Sequence, residues 1–196
     1  MVRMSVVNSV FAELQKQQLA SGGFRLLEIG LGSHGKVVSS MGNFNTTPGA
    51  SLRAFRDYLG PSASIFGADV DASVLFQEAQ IDTAQVDQLS PASLKALHPR
   101  FGSQKFDLVI DDGLHAGGPN INTLVFGLKH VRAGGYVVIE DIGHESWRGE
   151  VGVLDVADQI LRAHGGVHTW MLRSSRTVSV YVVKVPEWQV RQYSLH

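Results

Sequence analysis

The chain has 196 residues, 44% of them hydrophobic and 18% charged, which fits one globular domain with a core of its own. The formal net charge is -1 and no run of Lys or Arg stands out, which argues against a non-specific grip on nucleic-acid phosphates. Cysteine is absent, which excludes disulfides, thiolate metal sites and cysteine nucleophiles.

The N-terminal apolar stretch is too short and broken for a signal peptide. No segment approaches the roughly 18 apolar residues of a membrane helix. A soluble, cytoplasmic protein is expected. Val6, Val7, Val10, Phe11 and Leu14 recur at helical spacing, which predicts a helix over residues 5–20, ended by Gly22 and Gly23. Residues 24–29 are a short apolar run stopped by glycines and read as a buried strand. Residues 33–49, rich in Gly, Ser, Asn and Thr, read as a long loop, and loops of that length are usually functional or disordered. A helix is expected over 50–59, a strand over 64–69, a short helix around 73–80 and a weak strand over 83–86. Ser90 and Pro91 are the N-cap and first residue of the next helix. Residues 106–110 form the clearest strand. A helix over 119–131 ends at Gly134 and Gly135, and a buried strand follows over 136–139. A helix over 151–164 and strands over 167–172 and 177–183 complete the pattern, and a polar tail with Trp188 and Tyr193 starts at Pro186. Residues 1–196 are expected to form a single domain with its core over 24–184.

Five βα units followed by a terminal strand pair predict an α/β fold: a Rossmann-like, seven-stranded, mostly parallel sheet with helices on both faces. Ligands of such sheets bind beyond the C-terminal strand ends, where the strand order reverses.

Gly30-Leu31-Gly32-Ser33-His34-Gly35 matches G-x-G-x-x-G. The glycines permit a tight turn and a close approach by a ligand, and either NAD or S-adenosylmethionine fits the pattern. Two details favour S-adenosylmethionine. Glu28, two residues before Gly30, suits a sulfonium and an ammonium better than a pyrophosphate. No helix starts just after Gly35, whereas pyrophosphate sites use a helix N-terminus there. Asp69, at the end of the second parallel strand, can accept both ribose hydroxyls. Asp87 and Gln88, at the end of the third, are placed to reach an adenine edge, although strand-end Asp is also a common turn residue. The cofactor-binding set is thus Glu28, Gly30, Gly32, Asp69, Asp87 and Gln88.

The fourth parallel strand runs into Asp111-Asp112-Gly113-Leu114-His115 and the fifth into Glu140-Asp141. Neighbouring strands lie about 4.8 Å apart, so four carboxylates meet over one crevice. That much negative charge calls for protonation or a cation. Oxygen ligands without Cys suit Mg²⁺ or a similar divalent ion, with Asp112, Glu140 and Asp141 as the expected ligands. His115, on the same loop, is the candidate general base. The plainer reading makes the carboxylates helix caps and solvated turns and His115 an ordinary loop residue. Asp107, at the start of its strand, is structural. His98, His130, His164, His168 and His196 read as surface positions. His34 and His144 lie on loops near the site, and Trp147 is a candidate lining residue.

Four segments taken together, 28–32, 67–71, 110–115 and 139–142, resemble the class I methyltransferase fold. In detail they are similar to the metal-dependent sugar O-methyltransferases of macrolide biosynthesis, of the mycinamicin and macrocin type, and to the cephalosporin hydroxylase-like group. The D-D-G-x-H element with its downstream E-D pair carries the specific part of the likeness. The resemblance implies methyl transfer from S-adenosylmethionine to a hydroxyl of a small molecule, a sugar or glycosylated natural product. It implies Asp112, Glu140 and Asp141 as Mg²⁺ ligands, Asp112 and His115 as catalytic residues, and Asp111 near the cofactor. Two departures stand out. The 33–49 segment puts Asp69 about 40 residues beyond the glycines, against about 20 in dinucleotide folds, and Gly117-Gly118 after His115 reads as a flexible stretch. Neither a nucleic-acid nor a membrane partner is expected, and homo-oligomer formation stays open. Competing readings are a non-catalytic binding protein with the same fold and an NAD-dependent oxidoreductase.

Overall fold

The computed structural model describes residues 12, 13, 16, 23–39, 42–143, 153–164, 168–173 and 178–186. In chain order, β1 (Phe24–Ile29) leads to a hairpin of β2 (Gly35–Ser39) and β3 (Gly42–Thr46), then α1 (Ala50–Leu59) and β4 (Ala63–Asp69). The two-residue β5 (Gln77–Glu78), β6 (Ile81–Gln85), α2 (Pro91–Arg100) and β7 (Phe106–Asp111) follow. The chain continues through α3 (Gly117–His130), β8 (Val131–Gly143), α4 (Val153–Ala163), β9 (His168–Arg173) and β10 (Val178–Lys184).

The main sheet has the order β5-β6-β4-β1-β7-β8-β10-β9. The five strands from β6 to β8 are parallel, β10 runs antiparallel to β8, and β9, antiparallel to β10, runs with the parallel set again. This is the expected mostly parallel sheet of seven strands, with β5 added at one edge. The central strands read as continuous apolar runs because both faces are covered. Leu26, Leu108, Ile110 and Val138 pack on one face with Leu52 and Leu59 of α1. Leu27, Val109, Val137 and Ile139 pack on the other with Leu94 of α2, Leu124 of α3 and Leu161 of α4. From β1 the chain first adds β4 and β6 on one side, then crosses to β7 and β8 on the other. The strand order therefore reverses between β1 and β7, and a ligand crevice belongs at their C-terminal ends.

Several local expectations change. The 33–49 loop contains the β2–β3 hairpin, paired from Gly35 with Thr46 to Ser39 with Gly42. The helix expected around 73–80 shrinks to one 3₁₀ turn, Ala72–Val74. Thr83 is the cause: its Oγ1 accepts from Phe76 N at 2.7 Å and donates to Phe76 O at 2.5 Å, which holds the chain extended. Gly134 and Gly135 do not end α3 but lie inside β8, whose pairing with β7 shifts register between Phe106 and Leu108. A Cβ on Gly135 would sit 2.6 Å from the Asp107 carbonyl oxygen, so only glycine fits there. Ala116 is the N-cap of α3 and Gly117 is buried in its first turn, so the stretch after His115 is helical rather than loose.

His98 and His130 are half-buried rather than freely exposed. Their rings stack at 4.1 Å between α2 and α3, against Phe106 and Phe126. Burial, then the charges of His98 and nearby lysines, pushes His130 down to about 4. Asp107 is structural as expected: its carboxylate accepts from Arg25 N at 2.7 Å and pairs with the Arg132 guanidinium. Of the helix expected over 5–20, Ala12, Glu13 and Lys16 are described and helical. The tail beyond Pro186, His144 and Trp147 lie outside the described residues. Among those described, no helix is long and apolar enough to cross a membrane.

Candidate active site

The glycine turn leaves β1 at the reversal point. Gly30 N donates to Ala68 O at 2.8 Å, and Asp112 N donates to Ile29 O at 2.8 Å, so the turn is stitched to both neighbouring strand ends. Gly30 and Gly32 both have positive φ, 97° and 79°. A Cβ built on Gly32 meets nothing within 4 Å, which leaves open space above the turn. Leu31 N donates to Asp69 Oδ2 at 2.7 Å, and Asp71 N donates to Asp69 Oδ1 at 2.9 Å. Asp69 thus holds the turn, and each of its oxygens keeps lone-pair capacity for a further donor.

Gly49 N donates to Leu31 O at 2.8 Å, so α1 begins beside the turn in space although not in sequence. As expected from the sequence, the residues right after Gly35 form β2 and not a helix, and it is α1 that brings a helix N-terminus to the turn. Glu28 lies at this helix N-terminus. It is 3% exposed, and its Oε2 accepts from Ser51 Oγ in the first turn of α1 at 2.5 Å. Burial first, with the charges of Asp112 and Glu140 adding to it, pushes Glu28 up to about 8. Glu28 is thus largely protonated near neutral pH, and the negative charge close to it comes from Asp112 and Glu140.

Three of the expected residues lie on the far side of the turn. Asp112, His115 and Asp141 each offer a ligand atom, and these atoms all lie within 4.8 Å of one another. His115 Nε2 is 3.7 Å from Asp112 Oδ1. Oxygen or nitrogen ligands on opposite sides of one divalent ion are about 4–5 Å apart, so the spacing suits a single cation. Asp141 reaches this position through a left-handed backbone, φ 47°, a conformation that Asp tolerates better than most residues. Glu140 is not in this group. Two residues beyond Val138 on a strand, it falls on the α1 face with Glu28, whose ionisation it opposes. Of the expected trio, Asp112 and Asp141 lie in this group, together with His115.

The remaining predicted residues have other surroundings. Asp87 is exposed, and its Oδ1 accepts from Leu89 N at 2.9 Å in the turn that leads to α2. Gln88 is 6% exposed and donates to Asp111 Oδ1 at 2.7 Å and Thr123 Oγ1 at 2.9 Å. Asp111 is fully buried, where desolvation raises its pKa against the opposing effect of the Asn120, Gly113 and Gln88 donors. His34 is exposed, with Nε2 3.2 Å from Ser73 O. Ser51, Asn120 and Thr123 were not anticipated from the sequence. The signal was present in part, since Asn120 and Thr123 are three apart on the helix and so share one face.

No family model matches the chain. The mycinamicin VI 2''-O-methyltransferase of Micromonospora griseorubida is 32% identical over 145 residues, 74% of this chain and 32% of that protein. The demethylmacrocin O-methyltransferase of Streptomyces fradiae is 34% identical over 142 residues, 72% of this chain and 33% of that protein. The chain thus spans about a third of the length of these curated relatives. Among solved structures, the MycE methyltransferase from the mycinamycin biosynthetic pathway, in complex with Mg and SAH, matches with a TM-score of 0.64 at 24% identity. That match covers 94% of this chain and 51% of the other. The chain has the Rossmann-like fold of the class I methyltransferases, and its sequence relatives are macrolide sugar O-methyltransferases of the mycinamicin and macrocin type.

Proposed function

We propose that this chain carries out S-adenosylmethionine-dependent O-methylation of a small hydroxylated molecule, a sugar or glycosylated natural product, with the help of a divalent cation. The observation that carries the reading is the contact between the two halves of the site. The glycine turn and the loop bearing Asp112 and His115 are hydrogen-bonded through Ile29 and Asp112, so a ligand on one is within reach of a ligand on the other.

S-adenosylmethionine supplies an electrophilic methyl group, which a hydroxyl oxygen takes up most readily as its proton leaves. The open space over Gly32, the acidic tip Asp69 and the buried Glu28 fit the cofactor's ribose and its cationic end. Asp112 and Asp141 would hold a cation such as Mg²⁺, which would lower the pKa of a bound hydroxyl. His115 is close enough to serve either as a third ligand or as the proton acceptor. The charges of Asp112 and Glu140 close to Glu28 disfavour an NAD pyrophosphate and with it the oxidoreductase reading.

Calorimetry with S-adenosylhomocysteine, with and without Mg²⁺, tests the proposal. Binding in the micromolar range and methylation of a hydroxylated sugar acceptor are expected. No binding at millimolar ligand overturns it.

A further inference from the structure

We propose that Gln88 is the positioning residue for the loop that carries Asp112 and His115. The inference rests on the reading of that loop as the cation and acceptor site. It assigns Gln88 a role that an adenine contact would not require.

Gln88 follows β6, yet its side chain turns under the loop that follows β7. Its Nε2 donates to Asp111 Oδ1 at 2.7 Å and to Thr123 Oγ1 at 2.9 Å. Its Oε1 accepts from Leu114 N at 2.9 Å. Both amide hydrogens and the amide oxygen are thus engaged, on three different segments. Leu114 lies between Asp112 and His115, so this bond acts on the path of the loop itself. Gly113 shows how closely the two meet: a Cβ there would lie 2.6 Å from Gln88 Oε1.

The support beneath Gln88 is also built. Asp111 Oδ2 accepts from Asn120 Nδ2 at 3.0 Å, and its Oδ1 accepts from Gly113 N at 3.2 Å. Asn122 Nδ2 donates to the Gln88 backbone oxygen at 3.1 Å. Asp111, Gln88, Asn120 and Thr123 are all buried. Hydrogen bonds in such a dry, satisfied network are strong and hold one geometry. Reactive groups need to be placed within about 0.5 Å, which side chains on a free loop do not achieve. Asn120 and Gly113 already serve Asp111. The contribution peculiar to Gln88 is its reach to Leu114.

The bonds of Gln88 to Leu114 and to Thr123 can be removed separately, and this supplies the test. Q88M removes every polar contact of the side chain at similar volume. T123V removes only the bond to Thr123 Oγ1 and leaves the reach to Leu114 N in place. Three quantities are measured on the whole chain: Mn²⁺ affinity by electron paramagnetic resonance, S-adenosylhomocysteine affinity by calorimetry, and hydrogen exchange at the Leu114 amide. Q88M is expected to lose Mn²⁺ affinity by about 10-fold or more, exchange Leu114 faster, and keep S-adenosylhomocysteine affinity within about threefold. T123V is expected to keep Mn²⁺ affinity within about threefold and slow exchange at Leu114. Wild-type Mn²⁺ affinity in Q88M, or a loss in T123V equal to that in Q88M, overturns the proposal. A wild-type chain that binds no Mn²⁺ overturns the cation reading of the site instead. In that case exchange at Leu114 decides the role of Gln88, and slow exchange in Q88M overturns it.

Discussion

Gly30 and Asp112 touch backbone to backbone: a Cβ on Gly30 would lie 2.2 Å from the Asp112 carbonyl oxygen and 2.9 Å from Gly113 Cα. The first glycine of the turn is therefore required by the neighbouring loop as well as by its own φ of 97°. Gly30→Ala combines left-handed strain of roughly 1–2 kcal/mol with a backbone overlap of roughly 1–3 kcal/mol. A fall in melting temperature of about 5–15 °C is expected for a chain of this length. Gly32→Ala shares the left-handed strain, roughly 1–2 kcal/mol at φ 79°, but meets no such neighbour, so its melting temperature should fall less than that of Gly30→Ala while S-adenosylhomocysteine affinity falls too. Thermal melts and calorimetry on the two variants separate these outcomes.

Asp112, His115 and Asp141 form the tight group, while Asp112 and Glu140 both lie close enough to Glu28 to oppose its ionisation. Asp112→Ala and Asp141→Ala should each weaken Mn²⁺ or Mg²⁺ binding at least 10-fold, the scale on which even outer-shell changes act. Glu140→Gln should weaken it only a few-fold, through charge alone. Equal losses in all three variants would return Glu140 to the ligand set.

Glu28 is held near 8 by burial, well above a free carboxyl. A folded-state pKa above the unfolded value means that the native state keeps a proton that the unfolded state releases. Stability from this group is full below about pH 4.5 and declines as pH rises toward 8. Glu28→Gln should remove that slope, so the variant gains on the wild type in melting temperature between pH 5 and 8. Melting curves across that range, without divalent cations, give the comparison. A wild-type slope that persists in Glu28→Gln would place its origin elsewhere.

His130 is displaced in the opposite direction, to about 4, chiefly by burial. Its folded pKa lies below its unfolded value of about 6.5, so the unfolded state takes up the proton first. The stability it contributes is present above about pH 6.5 and is lost as pH falls toward 4. Protonation would set a charge against His98 at 4.1 Å and among Lys95, Lys105 and Lys129. His130→Phe should keep more of its melting temperature at pH 5 than the wild type, relative to each protein's value at pH 7.5. A parallel decline in both would remove His130 from acid sensitivity.

Much of this molecule is legible from pattern. The apolar runs at 24–29, 106–110 and 136–139 are buried on both faces, and such strands identify themselves by the lack of alternation. The glycine turn and the acidic strand ends are local too, and the parallel sheet makes their approach inevitable. What stayed hidden depends on partners distant in sequence. His98 and His130 look polar until α2 and α3 stack their rings. Gln88 looks like a ligand contact until Leu114 N and Asp111, more than twenty residues away, occupy its amide. The helix missing at 73–80 was lost to one hydroxyl, Thr83. Asp141 stands beside Asp112 and His115 with a left-handed backbone, φ 47°, which no pattern of strand residues announces.

The bond from Gly49 to Leu31 gives residues 32–48 an unusual standing. They leave the fold and rejoin it at adjoining points, and without them Asp69 would follow the glycines at roughly the spacing of dinucleotide folds. The hairpin is therefore a detachable cassette at the rim of the crevice. Its ends are already set by the scaffold, so its length and sequence can change without renegotiating the sheet, since loop-closure cost grows only slowly with length. The hairpin can thus vary while the strand ends beneath it stay in register.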